Sequence, residues 1–321
     1  MKPVAVATAS DPGARASALG ERDRDALLEL FGDRVSFDEP LAPYTSWKIG
    51  GPADALAYVE SAAELAGIMR LVYRRSVPWF VLGSGSNLLV GDGGMSGIVI
   101  RLGGEFAAIE VSADDAHVRV SAGGSASMPL VVAQAASRGA IGIGSLAGIP
   151  GGVGGSLRMN AGTDREMGDF VRDVWVQTPG KPSPHAVTPQ YYYRHTTLAR
   201  DAVVTRVSLE FERGEAVRVR EETQGRLVRR KATQPLQQPN AGSCFRNPPG
   251  DKAGRLIEAA GAKGWREGDA EVSGVHANFI VNRGNATASD VASLLARVRR
   301  EVCERFGVEL ELEVHFVGVF V

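Results

Sequence analysis

Eight glycines fall between Gly142 and Gly162, in the run Gly-Ile-Gly-Ser-Leu-Ala-Gly-Ile-Pro-Gly-Gly-Val-Gly-Gly-Ser-Leu-Arg-Met-Asn-Ala-Gly. Glycine loses more backbone freedom on ordering than any other residue, so a cluster this dense needs a reason. The usual reason is backbone that lies against something flat or anionic, where a Cβ would collide and exposed N–H groups are wanted. A second glycine-rich segment, Val81-Leu-Gly-Ser-Gly-Ser-Asn87-Leu-Leu-Val90, precedes it. Two readings follow: loops that hold a large phosphate-bearing cofactor, or tight turns in a β-rich domain.

Two common phosphate motifs fail here. A P-loop needs lysine and a hydroxyl residue after its last glycine, but Gly155 leads into Ser156-Leu157-Arg158. A degenerate dinucleotide fingerprint, Gly142-x-Gly144-x-x-Ala147, follows a helical-looking run at Met128–Arg138 instead of a strand. Gly83-x-Gly85 does follow an apolar strand, but Leu88 stands where the third glycine belongs. A bound cofactor would therefore be held in some other way.

At 321 residues and 44% hydrophobic, the chain buries substantial cores and favours two or three domains over one. Thirty-six basic side chains against 37 acidic ones give a net charge of −1, hence no global field for nucleic acid. The two cysteines, Cys244 and Cys303, form no Cys-x-x-Cys pair and have no ligand-like spacing to the five histidines. No metal site and no disulfide framework is expected, which fits a reducing compartment. No run reaches the apolar length of a transmembrane helix, and Met1–Leu19 is too short and polar for a signal segment. The expectation is a soluble cytoplasmic protein with no membrane partner and a disordered leader over residues 1–20.

Helical patterns occur at Arg22–Gly32, with Leu27, Leu28 and Leu30 apolar, and at Ser61–Arg74, with a Ser61/Glu64 capping box. Strands are expected at Trp79–Leu82, Gly97–Leu102, Phe106–Val111, His117–Ala122, Val171–Gln177 and Ala202–Phe211. Gly214–Thr233 is a charged helix carrying Arg226, Arg229, Arg230 and Lys231, read as a solvated face. Asp251–Ala260 and Ser289–Phe306 are helical, the latter apolar at Val291, Leu294, Leu295, Val298, Val302 and Phe306 and stopped by Gly307. Val308–Val317 reads as a closing strand on which Glu311 and Glu313 share a face.

Three polar clusters stand among turn residues. Arg194 follows three tyrosines, Ser243 follows a glycine in Asn240-Ala-Gly-Ser-Cys-Phe-Arg-Asn-Pro248, and Glu313 alternates with Glu311. Taken locally, each has an ordinary explanation: an arginine stacked on tyrosine, a turn serine, an edge-strand charge. No nucleophile–base pair is visible. His195 reads as a structural neighbour of Arg194, and Cys244 as facing the core.

The order of the segments narrows these choices. Tyr44-Thr-Ser-Trp-Lys-Ile-Gly-Gly-Pro-Ala53 comes first, then Leu82–Leu89, then Gly148-Ile-Pro-Gly-Gly-Val-Gly-Gly155 with Met159-Asn-Ala-Gly162. Tyr193-Arg194, Asn240–Pro248 and Glu313 follow. In this order and spacing the chain resembles the UDP-N-acetylenolpyruvoylglucosamine reductases, flavoenzymes of early peptidoglycan synthesis, over about residues 40–318. The resemblance implies an α+β fold: an FAD-binding region of the vanillyl-alcohol-oxidase type in two subdomains, residues 21–213, and a smaller C-terminal substrate domain, residues 214–321. It implies noncovalent FAD, with NADPH as hydride donor and a UDP-sugar as the other small-molecule substrate. The FAD loops it implies carry Gly83, Ser84, Gly85, Ser86 and Asn87, then Gly148, Pro150, Gly151, Gly154 and Gly155. Its catalytic arginine, serine and glutamate fall on Arg194, Ser243 and Glu313.

Two departures stand out. Thr163-Asp164-Arg165 replaces the family's small residue, aromatic or histidine, and glycine. Only 49 positions separate Arg194 from Ser243, which matches the branch lacking a tyrosine-bearing lid. Two other classes remain open on sequence alone: an FAD-dependent oxidase or dehydrogenase acting on an alcohol or sugar, and a nucleotide-sugar or flavin-binding regulator without turnover.

Overall fold

The computed structural model describes residues 17–320. Two β-sheets and a helix-rich C-terminal unit each enclose a core of their own. The first begins with α1 (Glu21–Phe31), β1 (Val35–Pro40), β2 (Pro52–Val59) and α2 (Ala62–Arg75). It continues with β3 (Trp79–Val81), β4 (Leu88–Val90) and β5 (Met95–Leu102). Its sheet runs β1-β2-β5-β3, with β2 and β3 both parallel to β5. Leu27 of α1 and Leu65, Ile68, Met69 and Val72 of α2 pack on Ala55, Ala57 and Ile100. The Ser61 hydroxyl caps α2 by accepting the Glu64 N–H, while the Glu64 carboxylate accepts the Glu60 N–H.

The second unit contains β6 (Ile109–Ala113), β7 (His117–Gly123), α3 (Met128–Ser137), α4 (Val153–Arg158), β8 (Val171–Gln177) and β9 (His185–Val187). A two-residue hairpin, β10 (Tyr191–Tyr192) and β11 (His195–Thr196), precedes β12 (Val203–Glu212) and α5 (Ala216–Thr233). The sheet is antiparallel throughout, in the order β6-β7-β12-β8-β9. Its apolar face packs on Val131, Val132 and Ala135 of α3.

The C-terminal unit contains α6 (Ala253–Ala259), β13 (Arg266–Glu267), β14 (Ala270–Val272), β15 (Ile280–Asn282), α7 (Ala288–Phe306) and β16 (His315–Val317). It is fastened to the first unit at three places. β16 pairs in parallel with β4, His315 opposite Leu88. Trp47, fully buried, donates its indole N–H to the Ile280 carbonyl at 2.8 Å and accepts from Asn282 through its own carbonyl at 2.9 Å. The Asp92 carboxylate accepts the N–H groups of Ala288 and Ser289, capping α7 from the other unit.

Several expectations need correction. Phe106 and Ala107 lie in a short 3-10 turn, Gly104–Ala107, and the strand starts at Ile109. Only His315–Val317 of the closing segment is a strand, because residues 310–313 meet the irregular 244–246 segment instead of a ladder partner. Leu28 and Phe306 are exposed, each at an edge of its helix's apolar stripe. α5 packs on α3, and its Val219 joins the core of the second unit, so packing ends that unit near residue 233 and not at 213. Residues 17–20 of the expected leader are held in place: Leu19 is buried and the Ala18 N–H donates to Asp54 at 2.8 Å. The remainder of the leader lies outside the described residues.

Candidate active site

The two glycine-rich loops meet. A Cβ on Gly151 would stand 2.5 Å from the Ser84 hydroxyl and 3.2 Å from that of Ser86, and Gly151 has φ +97°. The two hydroxyls themselves lie 3.1 Å apart. Gly85, at φ +61°, presses against the backbone of Tyr44 and Thr45, and its carbonyl accepts from Ser46. The early Tyr-Thr-Ser-Trp segment thus forms the floor under the first loop.

The predicted loop glycines then divide by what lies beside them. Gly148 abuts the Arg230 side chain and calls for glycine through its φ of +75°, and Gly154 lies close against the Gly124 carbonyl and Val204, so both have neighbours within the protein itself. Gly83 and Gly155 are exposed, and a Cβ on either would meet nothing within 4 Å. Pro150 is exposed between them in sequence. Open glycine faces beside paired serine hydroxyls form a cradle that fits a phosphate-bearing cofactor. Ser125 adds to that fit: its hydroxyl is buried with no hydrogen-bond partner among the described residues, on the segment that Gly152 packs against. Asn87 differs from expectation, since its side-chain amide N–H groups face Met159 Sδ and the Glu313 carbonyl.

Arg194 sits at the tip of the β10–β11 hairpin, at φ +55°. A left-handed non-glycine residue is strained, and such strain collects at functional sites. Its Nε donates to Glu313 Oε1 at 2.9 Å, and Nη2 donates to the Gly162 carbonyl at 3.1 Å. Nη1 lies 3.5 Å from Glu166 Oε1. The Tyr193 ring stacks on the guanidinium, 4.7 Å from centroid to carbon.

Glu313 comes from the other side of the site. Its N–H donates to the Cys244 carbonyl at 2.8 Å, which places it beside the residue after Ser243. Ser243 is half-buried and forms no hydrogen bond among the described residues. Burial pushes the Glu313 carboxyl up, while Arg194 pulls it back down. Glu311 and Glu313 do not share a face: the irregular backbone turns Glu311 out to solvent beside Arg246 and Glu313 inward. Cys244 is buried, and burial pushes its thiol up to about 12. The structure therefore brings Arg194 and Glu313 into contact and sets Ser243 one residue from the strand-like pairing that carries Glu313.

The departure at Thr163-Asp164-Arg165 has local partners. Asp164 takes a two-pronged contact from Arg226 of α5 at 2.7 and 2.9 Å, and Arg165 covers the Phe170 ring. The basic face of α5 is consequently only part solvated. Arg230 leans on Gly148 and donates to the Ala147 carbonyl at 3.3 Å, with no carboxylate partner among the described residues. The sequence signal for Arg230 was present in its spacing of four from Arg226 on one helix face. Among the described residues there is no cluster of His, Cys, Asp and Glu that would hold a metal.

Residues 53–179 match the family described as FAD binding domain, and residues 234–317 the C-terminal domain of UDP-N-acetylenolpyruvoylglucosamine reductase. The chain is 46% identical over 308 residues to UDP-N-acetylenolpyruvoylglucosamine reductase 2 of Symbiobacterium thermophilum, covering 94% of this chain and 97% of that one. It is 44% identical over 290 residues to the Moorella thermoacetica reductase, covering 89% and 94%. The crystal structure of UDP-N-acetylenolpyruvylglucosamine reductase from Thermus caldophilus superposes with a TM-score of 0.75 at 38% identity, covering 88% and 97%.

Proposed function

The chain belongs to the UDP-N-acetylenolpyruvoylglucosamine reductase family, and from that premise we propose that it reduces the enolpyruvyl group of a UDP-sugar with NADPH, through noncovalent FAD. The product is UDP-N-acetylmuramate, a cytoplasmic precursor of the cell wall. FAD, when bound, relays the hydride from NADPH to the enolpyruvyl double bond. Ser84, Ser86 and the open faces of Gly83 and Gly155 hold the cofactor, and Arg230 offers positive charge to a diphosphate.

The Arg194–Glu313 contact across the units carries the reading. Hydride addition to the enolpyruvyl methylene leaves charge on the carbon beside the carboxylate. A planar guanidinium matches that carboxylate and strengthens its grip as the charge grows. Ser243 donates the proton that quenches the carbanion. Glu313 acts in its protonated form, since an ionised acid would repel the growing negative charge, and burial favours the neutral form.

The test is oxidation of NADPH by the purified yellow protein with and without the enolpyruvyl UDP-sugar. Oxidation that depends on the sugar and yields its lactyl ether supports the reading; oxidation at the same rate without it refutes the reading.

A further inference from the structure

We propose that Glu166 is the positioning residue for Arg194, fixing the guanidinium from the side opposite Glu313 so that its remaining N–H groups meet the substrate carboxylate. The inference rests on the reading of Arg194 as the carboxylate-binding cation.

Glu166 lies in the segment between the second glycine loop and β8. One carboxylate oxygen faces Arg194 Nη1 at 3.5 Å, and the other accepts from Asn160 Nδ2 at 2.5 Å. Asn160 is buried, with φ +42°, and its side chain ties together two elements. Its Oδ1 accepts the Gly168 N–H at 2.8 Å, and its Nδ2 also donates to the Tyr192 carbonyl at 3.1 Å. One side chain thus locks the turn bearing Glu166 to the hairpin bearing Arg194.

The guanidinium has five N–H groups in one plane. Glu313 takes the Nε–H, Gly162 takes one from Nη2, and Glu166 faces Nη1. Among the described residues one N–H on each terminal nitrogen has no partner, and a carboxylate takes two such groups at once. Glu166, steadied by the Asn160 amide, supplies a second anchor that is in place before the substrate arrives. A purely structural role competes with this one, because Glu166 also heads the Met167–Asp169 turn, where the Asp169 carboxylate accepts its N–H at 3.0 Å.

The experiment compares Glu166→Ala, Glu166→Gln and Arg194→Ala holoenzymes by stopped-flow absorbance of each half-reaction. NADPH needs no carboxylate clamp, so flavin reduction should stay within about twofold of the parent in both Glu166 variants. Reoxidation by the enolpyruvyl UDP-sugar should slow about 10- to 100-fold in Glu166→Ala, the scale of a misplaced catalytic group, and fall in kcat more than it rises in KM. Added formate should restore part of the Glu166→Ala rate by refilling the vacated carboxylate position. Equal slowing of both half-reactions with a lowered Tm would assign Glu166 to the turn alone and overturn the inference. Normal reoxidation in both Glu166 variants beside a crippled Arg194→Ala would also overturn it, leaving the reading of Arg194 intact. Normal reoxidation in Arg194→Ala would remove that reading, and this inference with it.

Discussion

The Asn87 side-chain amide donates to the Glu313 carbonyl across 3.0 Å, so the first glycine loop holds the backbone of an acid 226 positions later in the chain. Its neighbour His315 donates its N–H to the Asn87 carbonyl at 3.0 Å, which makes the tie reciprocal. The first glycine loop and the segment bearing the acid are thereby tied at two points. Asn87→Ala should cost about 1 kcal/mol, the usual worth of a hydrogen bond. Asn87→Asp should cost more, roughly 1–3 kcal/mol, because a carboxylate would face a carbonyl with no donor between them. Urea unfolding of the two variants measures this, and parental stability in Asn87→Asp would show that the tie carries no weight.

Ser243→Ala should separate the half-reactions. Reduction by NADPH requires no proton donor and should survive, while reoxidation by the enolpyruvyl substrate should fall by roughly two to four orders of magnitude. Ser243→Cys should be less impaired, since a thiol still donates. Equal slowing of both steps in stopped-flow traces would refute Ser243 as the proton donor.

Helices with an apolar stripe and a capping residue were readable from the sequence. The run from Thr287 to Gly307 shows it: the Thr287 hydroxyl accepts the Asp290 N–H, and Gly307 closes the helix at φ +66°. The closing segment misled because alternation implies a ladder, whereas the partner at 244–246 is a loop among glycine and prolines. α5 misled because its charge suggested a free face, while two of its arginines reach back to the second glycine loop and Asp164. Motif order pointed to Arg194, Ser243 and Glu313, and the fold brings the first and the last of them into contact. Glu166 was missed, since nothing in its local sequence says that the chain folds it back onto Arg194, 28 positions away.

Arg194→Lys should be a poor substitute although it keeps the charge. Both residues bear the same strain at φ +55°, so the comparison isolates the side chain. An ammonium cannot reproduce parallel N–H contacts, and the loss should appear in kcat because the contact strengthens in the transition state. Glu313→Gln should be milder than Glu313→Ala if the working acid is neutral. Steady-state rates decide both; near-parental turnover in Arg194→Lys would mean that the fork is not used.

The two thiols should behave differently. Cys303 is exposed, whereas Cys244 is buried and its thiol is pushed up to about 12. Thiolate is the reactive form, so at pH 8 a thiol reagent should titrate Cys303 alone in the folded protein and both after denaturation. Fast reaction of two thiols in the native state would mean that the 240–248 segment opens, loosening the seat of Ser243.

Substitutions in the glycine loops should part cofactor binding from folding. Gly83 has an open side and no left-handed φ, so Gly83→Leu should leave the apoprotein within roughly 0.5 kcal/mol of the parent, as exposed changes usually do. The new side chain would instead fill the cradle, and FAD affinity should fall about tenfold or more. Gly151→Leu meets two obstacles before any cofactor arrives: its φ of +97°, and Ser84 Oγ 2.5 Å from the new Cβ. Left-handed strain alone costs about 1–2 kcal/mol, so this variant should lose apoprotein stability as well as FAD. Fluorescence titration with FAD, paired with urea unfolding of each apoprotein, separates the effects. Parental FAD affinity in Gly83→Leu would mean that the first loop turns its open face away from the cofactor, and the cradle would have to be sought along Gly155 and Ser125.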